Sequence, residues 1–169
     1  MATEAQLLQT ATSFIDAFEN LNAEKHVSLR ASNCKHLFAP ASLNPPPPKT
    51  NEAFAAHLIN LRKVLNHFPV TAKPGEIHVN PTKRQVVVWA TAVPEFKDEV
   101  KGGIENKEWE YQGEYVFMLD MDEEGKITRI MEFLDSKATT RLLGLMEKAR
   151  ENLARYSGEE GAGLGFGVN

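Results

Sequence analysis

The stretch that decides the fold is Trp109 to Ser136, WEYQGEYVFMLDMDEEGKITRIMEFLDS. Apolar and polar residues alternate with a period of two on either side of Asp122-Glu123-Glu124-Gly125, the pattern of two β-strands joined by a turn. On the first arm the odd positions Trp109, Tyr111, Tyr115, Phe117, Leu119 and Met121 make one almost wholly apolar face. The even positions Glu110, Gln112, Glu114, Val116, Met118 and Asp120 make a mixed one. One face therefore forms a core, and the other lines a cavity or meets a second subunit. A turn centred near Glu123 sets residue 114 opposite 132 and residue 116 opposite 130. Glu114 and Glu132 are then cross-strand neighbours with Cβ atoms about 5 Å apart. In a dry cavity two carboxylates at that distance cannot both ionise cheaply, so one keeps its proton at neutral pH and the two form an acid/base pair. On an exposed face they are ordinary solvated charges.

The flanking chain is built to cover this sheet. Leu7, Leu8, Ala11, Phe14, Ile15, Phe18 and Leu21 recur at helical spacing, which predicts an amphipathic helix over 4–21. Asn22 caps a second, short helix over 23–31. The segment 32–50, with Pro45 to Pro48, reads as a loop. Thr50 or Asn51 caps a third helix, carried by Phe54, Leu58, Leu61 and Leu65 and ended near Asn66 by Pro69. Residues 76–80 and 84–93 read as strands around an Asn80-Pro81-Thr82-Lys83 turn, and the charged stretch 94–108 as a mobile loop. A last helix, capped by Asp135 or Ser136, carries Leu142, Leu143, Leu145, Met146, Ala149 and Leu153. Helices, then antiparallel strands, then a helix argue for an α+β fold: one curved sheet with helices packed on it. The domain spans 1–156, and the glycine-rich segment 157–169 reads as a flexible tail.

The bulk numbers narrow the function classes. The chain has 169 residues, 42% hydrophobic and 25% charged, which fits one soluble globular domain. With 19 basic residues against 23 acidic, a formal charge of −4 and no basic run, there is no electrostatic case for nucleic acid. No apolar run is long enough to span a bilayer, and no secretory signal is evident. The lone Cys34 excludes an internal disulfide, so a cytoplasmic protein is expected. His26, His57, His67 and His78 are scattered without metal-ligand spacing, so no metal and no cofactor is expected. No nucleophile elbow or phosphate-binding glycine loop is present.

The order of elements resembles the nuclear-transport-factor-2-like superfamily, and within it the fungal SnoaL-like, polyketide-cyclase-like proteins. The matching residues are Arg30, Cys34 and His36 of an Arg-x-x-x-Cys-x-His element; Glu114, Tyr115 and Val116; and Glu132, Phe133, Asp135 and Ser136. Gly113 departs from the pattern, standing where an Asn is expected. The resemblance implies a cone, a bent sheet around a pocket, that pairs with a second copy through its sheet. It also implies cofactor-independent isomerisation, cyclisation or dehydration of a small apolar polyketide- or terpenoid-like metabolite. A non-catalytic ligand-binding or dimeric scaffold module of the same fold is the alternative, because the superfamily holds both.

The candidate catalytic residues are His36, Glu114, Glu132 and Asp135. His36 has an imidazole suited to proton transfer near neutrality, or is a structural histidine. Asp135 is a helix cap or a pocket base. Arg30 pairs with a carboxylate or binds a substrate oxygen, and Trp89, Tyr115, Met131 and Phe133 wall the pocket or belong to the core.

Overall fold

The computed structural model describes residues 1–157. Helix α1 (Glu4–Asp16) opens with a capping box in which Thr3 and Gln6 satisfy each other's backbone N–H, and it buries Leu7, Ala11, Phe14 and Ile15. Its expected last turn, up to Leu21, is instead a series of tight turns. Helix α2 (Ala23–Ser28) is capped by Asn22, whose side chain accepts from Lys25 N. The next element corrects the sequence reading: Arg30–Ala39 is a strand, β1, and not a loop. Helix α3 (Asn51–Leu61) follows, capped by Thr50 and burying Phe54 and Leu58. Then come β2 (Leu65–His67), β3 (Val70–Asn80), β4 (Gln85–Ala92), β5 (Glu95–Phe96), β6 (Gly113–Met121), β7 (Ile127–Leu134) and α4 (Ser136–Ser157).

Five strands form one sheet in the order β1-β7-β6-β4-β3, and β2 and β5 pair separately. The contacts from β3 through β7 are antiparallel, while β1 joins β7 in parallel. Strand β3 shifts register between Ala72 and Ile77, where Gly75 adopts a left-handed φ of 77°, so the extra backbone there bends the edge of the sheet. Helices α1 and α3 cover the concave side. Phe14, Phe54, Phe117, Leu7, Leu119, Ile127 and Ile130 are buried between the layers. Each such side chain contributes roughly 1.5–3 kcal/mol of transfer free energy relative to exposure. Helix α4 closes one end. Asn152 donates to Val100 O at 2.8 Å, and Arg141 donates to the carbonyls of Glu108 and Glu110. The architecture is the α+β arrangement expected from the order of elements. The proposed tail over 157–169 falls outside the described residues, apart from Ser157, which ends α4.

The central hairpin has a different register from the one read in the sequence. Tyr115 pairs with Leu134, Phe117 with Glu132, Leu119 with Ile130 and Asp120 with Arg129. The turn is responsible. Asp122 Oδ1 accepts from Glu124 N and Lys126 N, Gly125 takes a left-handed φ of 80°, and the register slips again between Asp120 and Met121. The displacement is an odd number of residues, so it moves one arm's side chains to the opposite face relative to the other arm. Glu132 lies on the buried face with Phe117, and Glu114 lies on the outer face.

Candidate active site

The inner face gathers three charged or polar groups that a core does not ordinarily hold. Strand β1 turns Arg30 and His36 inward, at 5% and 0% exposure, and β7 contributes Glu132 at 7%. Arg30 Nη2 donates to His36 Nδ1 at 3.2 Å, and His36 Nε2 lies 2.8 Å from Glu132 Oε2. A guanidinium has no acceptor, so Nδ1 must be the bare nitrogen. The ring proton therefore sits on Nε2 and is donated to Glu132. A neutral imidazole thus bridges a cation and a carboxyl group.

Aromatic rings fix this chain in place. His36 is stacked between Phe38 at 4.8 Å and Phe54 at 4.4 Å. The Arg30 guanidinium lies 4.0 Å above the centre of the Phe54 ring, a cation–π contact worth about 2 kcal/mol in a desolvated setting. Burial holds His36 well below the ordinary imidazole value of 6.5, reinforced first by the charge of Arg30. Burial also lifts the Glu132 carboxyl from 4.5 to about 8, against the pull of Arg30. At neutral pH Glu132 mostly holds its proton and His36 is neutral. Two further Arg30 donors, Nε and Nη1, are buried without a partner, as are both ring nitrogens of His26. His26 packs edge-on against Phe14, Phe18 and Phe54, and burial takes its pKa down to about 3. Open donors on a buried guanidinium suit an oxygen atom of a bound molecule.

Other expected site residues lie elsewhere. Glu114 is on the outer face, where it accepts from Lys73 Nζ at 2.6 Å and from Trp89 Nε1 at 3.1 Å, and Lys73 holds its carboxyl below the usual range. The proposed Glu114–Glu132 pair is therefore not formed, for the register reason given above. Trp89, Met131 and Phe133 share that outer face; Trp89 is 37% and Phe133 46% exposed, so they do not wall the interior. Asp135 is the N-cap of α4, its Oδ1 accepting from Lys137 N at 3.0 Å and Ala138 N at 3.1 Å. Tyr115 is buried on the inner face, diagonal to Glu132, and its hydroxyl lies 2.8 Å from that of Tyr111. Cys34 is buried beside Arg30, its thiol pushed up by burial.

Sequence reasoning missed Tyr111 and Phe54 as site residues. The alternation already set Tyr111 on the Tyr115 face, but the role of Phe54 depends on a helix packing over β1. Among the described residues no group of three or more His, Cys, Asp or Glu side chains is placed to hold a metal ion, and no helix is long and apolar enough to cross a membrane.

A five-stranded sheet with helices packed on it has counterparts among solved structures. A solved structure of AusH from Aspergillus nidulans superposes with a TM-score of 0.68 at 27% identity, covering 80% of this chain and 88% of that one. The protein has the nuclear-transport-factor-2-like fold of the SnoaL-like proteins. In sequence it is 29% identical over 136 residues to the austinoid biosynthesis clusters protein H of Penicillium brasilianum, covering 79% of this chain and 86% of the relative. The structure of the BvnE pinacolase from Penicillium brevicompactum shares the fold, with a TM-score of 0.71 at 23% identity over 92% of this chain and 99% of that one. No family model matches the chain. The relatives are proteins of fungal secondary-metabolite biosynthesis.

Proposed function

We propose that the protein is a cofactor-independent isomerase, cyclase or dehydratase acting by proton transfer on a small apolar polyketide- or terpenoid-like metabolite. The observation that carries this reading is the geometry of Glu132: a carboxyl group buried in an aromatic setting, held by a neutral histidine of fixed tautomer, beside an arginine with two open donors. A buried acid whose pKa stands at about 8 has a proton to give at neutral pH. The carboxylate left behind is steadied by Arg30 and His36 and takes a proton back from carbon. One proton leaves the residue and one returns, so no external acid, base or oxidant enters the balance. His36 orients the carboxyl, and the open Arg30 donors hold an oxygen of the substrate. The relationship to biosynthetic proteins of fungal secondary metabolism supports the same substrate class.

The test is Glu132→Gln assayed on a panel of polycyclic terpenoid and polyketide ketones. The expected result is a fall in kcat of about 10²–10⁴, the usual contribution of a positioned acid or base, in a protein that still folds. In the wild type, kcat/KM should fall as pH rises through about 8, where Glu132 gives up its proton. Full activity in the variant would end this assignment.

One observation favours a second reading, the non-catalytic binding module. The Arg30–His36–Glu132 chain is nearly closed off, and two cavities among the described residues, of about 490 Å³ and about 330 Å³, are lined by other side chains. On that reading Glu132→Gln leaves ligand binding intact and no turnover is found with any variant.

A further inference from the structure

The larger of the two cavities, about 490 Å³, opens where β5 and the 3-10 turns before β6 meet. Its walls include Val93, Phe96, Lys101, Asn106, Trp109 and Tyr111. Pro94 adds to the apolar part of the wall, and Glu95, Glu110 and Gln112 to the polar part, so aromatic and charged groups share the lining about equally. Trp109 and Tyr111 belong at the same time to the buried layer, at 4% and 5% exposure. The indole N–H of Trp109 is buried without an acceptor. Tyr111 connects the cavity to the inner face, because its hydroxyl lies 2.8 Å from that of Tyr115, which stands diagonal to Glu132.

Gly113 explains why the phenol can sit there. A Cβ at position 113 would fall 2.7 Å from Tyr111 Cζ and closer still to its hydroxyl, so any side chain at 113 would push the phenol out. The departure from the family pattern at this position is therefore the opening that seats Tyr111. Burial raises both phenols above their ordinary value, so both keep their protons over the working pH range. Of two paired hydroxyls one donates to the other, which leaves a second O–H to be offered to a ligand.

We infer that this cavity takes an oxygenated ring system, its ring against Phe96 and Trp109 and its polar groups towards the charged wall, and that Tyr111, seated by Gly113, is the residue that hydrogen-bonds a carbonyl or hydroxyl oxygen of it. The inference deepens the acid–base reading and rests on it in one respect, that a molecule held here is coupled to the Glu132 face through the Tyr111–Tyr115 hydroxyl pair. It makes position 113 a specificity determinant: a larger residue there removes the phenol and supplies its own contact in its place.

The chain has two tryptophans, so Trp89→Phe, a change on the outer face, leaves Trp109 as the sole indole reporter. In that background the protein is titrated with prodan, a naphthyl ketone whose emission shifts to the red when its carbonyl accepts a hydrogen bond. The expected result is saturable quenching of Trp109 with a red-shifted bound emission. Tyr111→Phe should weaken binding by about tenfold and abolish the red shift, the loss of one hydrogen bond. Gly113→Ala should do the same, and the propyl analogue of prodan, lacking the carbonyl, should bind wild type and Tyr111→Phe alike. Absence of saturable binding, binding that leaves Trp109 emission unchanged, or equal affinity in wild type and Tyr111→Phe would overturn the inference. If Gly113→Ala fails to fold, Tyr111→Phe alone decides. Loss of turnover in Glu132→Gln together with unaltered prodan binding in Tyr111→Phe sinks this inference and leaves the acid–base reading standing; the opposite pattern does the reverse.

Discussion

Arg30 sets the state of the residues around it. It stacks on Phe54, fixes the His36 tautomer and pulls the Glu132 pKa down against burial. Removing its charge while keeping a donor for His36 Nδ1, as in Arg30→Gln, should leave burial unopposed. The Glu132 midpoint is expected to rise above its value of about 8, read by carboxyl-carbon NMR across a pH titration. A midpoint that stays put or falls would show that Arg30 does not set it. Of these groups, Arg30, His36 and Glu132 were visible in the sequence as chemistry-bearing residues. Their mutual arrangement was not, because it depends on a tertiary contact between residues 96 positions apart.

At the scale of elements, what could be read depended on how ordinary each pattern was. The helical stripes of α1, α3 and α4 were legible because Leu, Phe and Ala recur at the helical period. Strand β1 was missed because a register shift after Arg30 leaves Ser32 exposed, so the period of two runs only through Cys34, His36 and Phe38, and because Arg30 and His36 are not recognisably core residues. A strand built to carry a site loses the apolar alternation by which strands are recognised. The hairpin was found, but its register was not, since Asp122 and Gly125 build an asymmetric turn that places Glu114 outside and Glu132 inside. Of the two readings of Asp135, the structure shows the helix cap. As the cap of α4 it should contribute about 1 kcal/mol, so Asp135→Ala should lower stability by roughly that amount in urea melts while Asp135→Asn, a competent cap, largely preserves it. If both are stable but Asp135→Asn loses turnover, the carboxylate also acts on substrate.

At the scale of the whole molecule, buried titratable groups set the pH of greatest stability. Between 4.5 and about 8 the folded chain keeps on Glu132 a proton that the unfolded chain sheds. The stabilisation from that group is present below 4.5 and is lost as pH rises through 8. The histidines act in the opposite sense. His26 and His57, lowered to about 3 and about 4, and His36, also lowered, stay neutral in the folded chain below 6.5 while the unfolded chain takes up protons, so stability is lost as pH drops below 6.5. Together these place the Tm maximum between about pH 6.5 and 7. Glu132→Gln should flatten the decline up to pH 8, and a melt series that still declines would reject the assignment. The outer sheet face carries exposed Trp89 and Phe133 beside the half-buried Met118 and Met131. Glu114 with Lys73 and Asp120 with Arg129 flank this apolar strip, a surface suited to a second copy as its cover, and we expect a homodimer. Phe133→Glu should shift the mass measured by light scattering from dimer to monomer; an unchanged dimer would put the interface elsewhere.

The parallel pairing of β1 with β7 carries a consequence for how the molecule is made. A strand near the start of the chain cannot find its partner until nearly the whole sequence has been synthesised, and closing so long a loop is slow compared with forming the neighbouring hairpins. The β3–β4 and β6–β7 hairpins can form early from local contacts, with β1 arriving last. Arg30 and His36 meet Glu132 only at that final step. The Arg30–His36–Glu132 chain is thus assembled only when β1 docks on β7, and a partly folded chain lacks it.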